Sequence, residues 1–160
     1  MSRATTRGAV CAAAISAFLL AGVLAAAAAA PPLVRAAHSG SLQATILVDR
    51  SGHTLYHLSV ERQGHFICTN AACLAFWQPL LVAKGSKPTG TAHLGTVKRP
   101  DGRIQVTYKG GPLYTFVQDA RRGDTKGEGF KDVGVWHAAT IGTAAVTKTS
   151  SPGAYGGYGG

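Results

Sequence analysis

Between residues 42 and 140 apolar and polar positions change over in short runs, most of them too brief to be helices. LQATILVD, HTLYHLSV, HFIC, HLGTVK, IQVTYK, PLYTFV and GVWHAAT are rich in β-branched, aromatic and aliphatic residues, the mixture that suits strands. The turn signals DRSG, ERQG, RPDG and KGG separate them. In Arg99-Pro100-Asp101-Gly102 the proline presets the second turn position and the glycine closes it. One segment, NAACLAFW at 70–77, predicts a short helix capped by Asn70 or Thr69 and stopped before Pro79. Alternation puts Tyr56, Leu58 and Val60 on one strand face and Tyr114, Phe116 and Gln118 on another. These are the candidate core faces.

The two faces belong to a repeat. GHTLYHLSVE at 52–61 returns as GGPLYTFVQD at 110–119. Val48, Gly52, Leu55 and Tyr56 recur 58 positions later as Val106, Gly110, Leu113 and Tyr114, and Glu61 becomes Asp119. Trp77 and Trp136 stand in near-equivalent places. Two copies are too few for an open solenoid, so they must share a core. The expectation is an all-β domain over 42–140. It is a pseudo-two-fold repeat of β-meanders, sandwich- or barrel-like, with halves at about 42–97 and 98–140 and one short helical turn. Glu61 and Asp119 lie five residues beyond their tyrosines. That position is the start of a turn, where a carboxylate accepts backbone N–H bonds.

The ends read differently. Arg3 and Arg7 precede a long Ala-rich apolar stretch that ends at Pro31-Pro32. A charged start, apolar middle and small-residue end describe a secretory signal peptide. Cleavage after Ala29 or after Ala36 fits, and the leader is taken as 1–36. An uncleaved anchor is the alternative, since about 20 apolar residues span a bilayer. Alanine is only weakly hydrophobic, which favours export with cleavage. Residues 37–41 are read as an unstructured polar lead-in, and 141–160 as a disordered Gly/Tyr-rich tail.

Export gives the cysteines their meaning. Cys68 and Cys73 form a close pair that an oxidising compartment would join, worth about 2 kcal/mol for so short a loop. Cys11 lies in the leader. The formal net charge is +9, with the basic residues scattered rather than clustered. Outside the cell such a surface meets anionic polymers or lipid headgroups rather than nucleic acid, or serves solubility alone.

With these residues in view, the chain resembles the secreted-repeat lipoproteins of bacteria, a family of unknown function with a Tyr-x4-Asp motif. The resemblance rests on VDRSGHTLY, on Cys68 and Cys73 followed by Trp77 and Pro79, on RPDGRIQVTYKGGPLYTFVQD, on GDTKGEG and on Trp136. It spans about 45–140. It implies motif positions at Tyr56, Glu61, Tyr114, Asp119, Trp77, Trp136, Asp101 and Gly102, to which we assign a structural role. The chain departs from the family pattern at Glu61, at Gln78 and in the cysteine spacing. No lipobox cysteine ends the leader, so a freely secreted or periplasmic protein is expected rather than a lipid-anchored one.

Candidate chemistry is sparse. No G-x-S-x-G elbow, H-E-x-x-H helix or P-loop occurs in the sequence, and no catalytic residue is assigned. Asp119 and Asp124 suggest a carboxylate pair, but Arg121, Arg122 and Lys126 beside them favour a solvated turn. GDTKGEG offers Asp124 and Glu128 as calcium ligands, again with Lys126 between them, and a tight turn is the better reading. The sharper alternative is a copper or zinc site. If ERQG closed a hairpin with His57 opposite Cys68, then His57, Cys68, Cys73 and His53 would converge. The disulfide competes for both thiols. Tyr56, Tyr108, Tyr114, Trp77 and Trp136 line either a groove or the core, and the core is favoured. The expected function is an exported, non-catalytic envelope or extracellular module. It would carry no cofactor and bind an unidentified envelope ligand or protein, with a metal or redox protein and an enzyme of unknown type as alternatives.

Overall fold

The computed structural model describes residues 31–142, so residues 1–30, most of the expected leader, and 143–160, most of the expected tail, lie outside it. In chain order the strands are β1 (Val34–Ser39), β2 (Ala44–Asp49), β3 (Tyr56–Leu58), β4 (Trp77–Pro79), β5 (Leu81–Val82) and β6 (Leu94–Lys98). They continue as β7 (Ile104–Tyr108), β8 (Gly111–Pro112), β9 (Tyr114–Phe116), β10 (Trp136–Ala138) and β11 (Thr140–Ile141), with helix α1 at Ala71–Phe76. All pairings between these strands are antiparallel. The described residues are all-β with one short helix, and their sheets stay open rather than closing into a barrel.

The sheet orders display the two-fold relation. The central sheet runs β10-β3-β9-β4, flanked by sheets β1-β2-β11 and β5-β7-β6, with β8 on β7. Exchanging the halves swaps β3 with β9, β10 with β4, and β2 with β7. Tyr56 and Tyr114 are direct partners across β3 and β9, so the pseudo-axis passes between them.

The backbone corrects one detail of the repeat. The amide of Leu55 bonds the carbonyl of Leu47, and the amide of Leu113 bonds that of Val106, each at 2.9 Å. Leu47 N bonds Ala139 O while Val106 N bonds Leu80 O. The counterpart of Val106 is therefore Leu47, not Val48. The connection from β2 is one residue longer than the turn from β7, where Lys109 and Gly110 take φ of 49° and 79°. One residue of slip reverses every side chain on a strand. Val48 accordingly packs with Tyr56, Tyr114 and the tryptophans, and Val106 joins the second cluster with Val34, Leu47, Leu55 and Leu113.

The N-terminal boundary moves as well. Residues 34–36, placed in the leader, and 37–39, placed in an unstructured lead-in, form β1, which pairs with β2 from Val34↔Asp49 to Ser39↔Ala44. Val34 is fully buried, and its amide bonds Thr89 O at 3.0 Å. The alanines and His38 disguise this strand, but β2 would otherwise leave an open edge of unpaired backbone groups. At the other end β11 carries the domain to Ile141.

Candidate functional site

The repeated tyrosines and acids meet across the axis. Tyr56 Oη donates to Asp119 Oδ2 at 2.6 Å, and Tyr114 Oη donates to Glu61 Oε2 at 2.8 Å. Each tyrosine thus binds the carboxylate of the other copy. The strands dictate this: β3 and β9 run side by side, and each acid lies in the turn just beyond its own strand. The second oxygen of each carboxylate caps a loop. Glu61 Oε1 accepts the amides of Ile67 and Cys68 at 2.7 Å, and Asp119 Oδ1 accepts that of Lys126 at 3.0 Å. All four side chains are buried. Burial pushes both phenols up. It also raises the Asp119 carboxyl, although Tyr56 and the Lys126 amide favour its anion.

The tryptophans complete this centre. Trp77 and Trp136, from opposite edges of the central sheet, stack with centroids 3.8 Å apart and planes 6° from parallel. Tyr56 meets Trp77 edge-on at 5.4 Å, and Tyr114 meets Trp136 edge-on at 5.1 Å. The contact pattern is repeated by the two-fold relation. Gly127 is required here, because a Cβ on it would stand 2.8 Å from Trp77 Cη2.

Arg99 breaks the symmetry. Its guanidinium is buried and bonds Gln105 Oε1, Tyr114 Oη at 3.2 Å and Cys68 O at 2.8 Å. It also stacks over Phe66, 4.9 Å from the ring centroid. Nothing in the RPDG turn marks this arginine for burial, and the repeat holds no second copy of it. Asp101 and Gly102 serve the same turn. The exposed Asp101 accepts from Arg103 N, Nε and Nη2. These bonds, the side-chain one first, draw its carboxyl down to about 2. Gly102 has φ of 85°.

The four residues of the metal alternative do not converge. Cys68 and Cys73 are joined in a disulfide with Cα atoms 5.4 Å apart. The assumed hairpin register is absent, because β3 is an inner strand with β10 and β9 on either side. His57 faces His137 on β10, with ring centroids 6.0 Å apart, and the bridge after ERQG joins Arg62 to His65. His53 instead folds onto Asp49. Among the described residues no group of three or more His, Cys, Asp and Glu is placed to hold a metal ion. Asp124 and Glu128 also part company. Asp124 accepts Arg121 N and pairs with Lys126, whereas Glu128 takes Ala138 N and His137 Nδ1.

A roomy recess lies elsewhere. A groove of about 580 Å³ runs beside the disulfide. The buried Trp77, the half-buried Ile67 and Cys73 and the exposed Phe76, Phe130 and Val133 line it, together with Asn70, Gln118, Lys131 and Asp132. Asn70 caps α1 through Cys73 N at 2.9 Å. The helix ends at Phe76 because Trp77 is drawn into β4 opposite Phe116. Phe76 is thereby left 50% exposed, beside Phe130 at 45% and Val133 at 62%. Phe130 rests edge-on against Trp77 at 5.9 Å. None of these three was singled out from sequence, where single apolar residues next to a helix end or in a Gly-rich turn carry no pattern.

Residues 95–140 match the model of a family described as a secreted repeat of unknown function, the family that the sequence resembles. The match runs from within β6 to the start of β11 and contains Asp101, Tyr114, Asp119 and Trp136. The first copy, with Tyr56, Glu61 and Trp77, is tied to it by the pairing described above. No curated protein and no solved structure matches the chain.

Proposed function

We propose that this secreted-repeat protein is an exported, non-catalytic module that holds a flat apolar group of its ligand in the groove beside α1. The observation that carries this reading is the exposure of Phe76, Phe130 and Val133 around a recess of about 580 Å³. Apolar surface left in water forgoes roughly 25 cal/mol per Å², and a contiguous exposed patch marks an interaction site. Small-ligand sites are mostly apolar, span about 300–1,000 Å³ and carry a few polar groups that orient the guest. Asn70, Gln118, Lys131 and Asp132 would supply those. The buried carboxylates and phenols, by contrast, are engaged with one another and with loop amides. That arrangement favours a scaffold role over general acid–base work.

Export agrees with the family description and with the charged, apolar start of the chain. The cut then falls before β1. Cleavage after Ala29 leaves the strand whole, whereas cleavage after Ala36 would remove the buried Val34. Intact mass of the secreted protein reads this directly.

The groove is tested by NMR titration of the exported chain with indole and with an aliphatic alcohol. Saturable shifts at Ile67, Phe76 and Val133 on adding indole, lost in Phe76→Ser and Phe130→Ser, are expected. Shifts that never saturate, or that persist in both variants, contradict the reading.

A further inference from the structure

Tyr56 and Leu58 face the core, so His57 between them points to the other side of β3. There a small recess of about 130 Å³ is lined by His57, Arg62, Tyr108, Lys109, Ala139 and Thr140. Two turns bring its cations together. Arg62 follows the β3 turn, with Nη1 held by Glu61 O at 3.1 Å. Lys109 sits in the tight β7–β8 turn, its ammonium 5.1 Å from the centroid of the Tyr108 ring. Gln63 N bonds Gly110 O at 3.1 Å and locks one turn to the other. A Cβ on Gly111 would lie 3.3 Å from His57 Cβ and 3.4 Å from Arg62 Nη1, so glycine keeps the recess open.

The lining side chains are donors. Guanidinium and ammonium groups can only donate, and the Tyr108 and Thr140 hydroxyls can turn to do so. His57 Nδ1 is buried and makes no well-formed hydrogen bond among the described residues, and a buried ring nitrogen gains from a partner that reaches it. Among the described residues neither Arg62 nor Lys109 is paired with a carboxylate. The nearby Glu128 is occupied by Ala138 N and His137.

We propose that this recess binds a single phosphate group through Arg62, Lys109 and His57. A volume of about 130 Å³ corresponds to roughly four waters at the liquid share of each. It is therefore sized for one compact headgroup rather than a whole drug-sized ligand. Two cations with planar and rotatable donors match a tetrahedral dianion. Burial first, then the charges of Arg62 and His137, hold the His57 ring down at about 4, with Glu128 opposing. An anion beside the ring favours its proton against the opposing charges of Arg62, His137 and Lys109. Binding therefore takes up a proton and tightens as pH falls for dimethyl phosphate, whose own charge stays constant, whereas a monoester loses its second charge below about pH 6. The recess shares no lining residue with the aromatic groove, and the two readings stand or fall separately.

NMR titration of the exported chain at low salt, with inorganic phosphate, glycerol 3-phosphate and dimethyl phosphate, tests this. Saturable shifts centred on His57 and Thr140 are expected, with affinity reduced at least about tenfold in R62Q/K109Q. H57Q should retain binding but lose the proton uptake. Tightest binding of the monoester assigns a terminal phosphate, and tightest binding of dimethyl phosphate assigns a polymer backbone. The proposal is overturned by shifts that spread over the other surface lysines without saturating, or by unchanged affinity in a folded R62Q/K109Q variant.

Discussion

The two tyrosine–carboxylate pairs are built alike and surrounded differently. Around Tyr114 and Glu61 stands a buried guanidinium, Arg99, which shares the Tyr114 hydroxyl with the carboxylate. Around Tyr56 and Asp119 the amides of Gly127 and Lys126 reach the pair, and no buried guanidinium stands there among the described residues. Counting along the paired strands shows how this arises. Ala36 faces Leu47 and Thr96 faces Val106, so three residues on, Ser39 is the counterpart of Arg99. Similarly Ile46, buried and apolar, stands where the second half has Gln105, a partner of Arg99. A repeat can thus preserve its hydrogen bond and exchange the means of compensating its charge. Both halves use loop amides, and one adds a buried guanidinium on the tyrosine hydroxyl.

Removing the counter-charge should have the largest effect. Arg99→Met takes a buried guanidinium from the Tyr114 hydroxyl that Glu61 accepts from and leaves Gln105 Oε1 and the Cys68 carbonyl short of a donor, and unfolding in urea should show a loss of about 3 kcal/mol. Adding Glu61→Gln should recover part of it. Ser39→Ala, the matching change in the other half, should cost no more than about 1 kcal/mol. Equal losses at the two positions would erase the distinction.

Deleting the hydroxyls sharpens it. Tyr114→Phe strands both Arg99 and Glu61 and should cost about 3 kcal/mol, against about 1.5 kcal/mol for Tyr56→Phe, because hydrogen bonds to charged groups are worth roughly 1.5–3 kcal/mol. Replacing both cysteines by serine should cost about 2 kcal/mol from chain entropy. It should also loosen the Cys68 carbonyl that Arg99 holds, so the Arg99→Met loss should shrink in that background.

The smallest effect is a pH dependence. Burial raises the Asp119 carboxyl from its unfolded value near 3.8. Its contribution to stability is therefore complete below that value and is lost as pH rises through the higher folded one. Denaturant unfolding across that range should show the wild type losing stability relative to Asp119→Asn as pH climbs, with a constant difference above it.

Much of the frame was legible in the sequence. The strand runs, the RPDG turn, the Asn70 cap and the close cysteine pair are local patterns with local causes. The equivalence of the Tyr56 and Tyr114 strands was also visible, since a repeated Leu-Tyr strand needs an equivalent place. What escaped is non-local. β1 hides behind alanines that become a strand only because β2 needs a partner. Val48 was matched to Val106 because letters align more easily than backbones when one turn is a residue longer. Arg99 looked like any turn arginine, and His57 like a partner for Cys68, until the neighbours of β3 were known. Phe76 and Phe130 form a groove only because Trp77 leaves the helix for β4.

The central claim is that the two copies are bonded crosswise. Double-mutant cycles on unfolding free energy test it most directly, pairing Tyr56→Phe and Tyr114→Phe in turn with Glu61→Gln and Asp119→Asn. The account predicts coupling of about 1 kcal/mol or more for Tyr56 with Asp119 and for Tyr114 with Glu61. For Tyr56 with Glu61 and Tyr114 with Asp119 it predicts values within about 0.5 kcal/mol of zero. Strong coupling inside each copy, with none across, would contradict it.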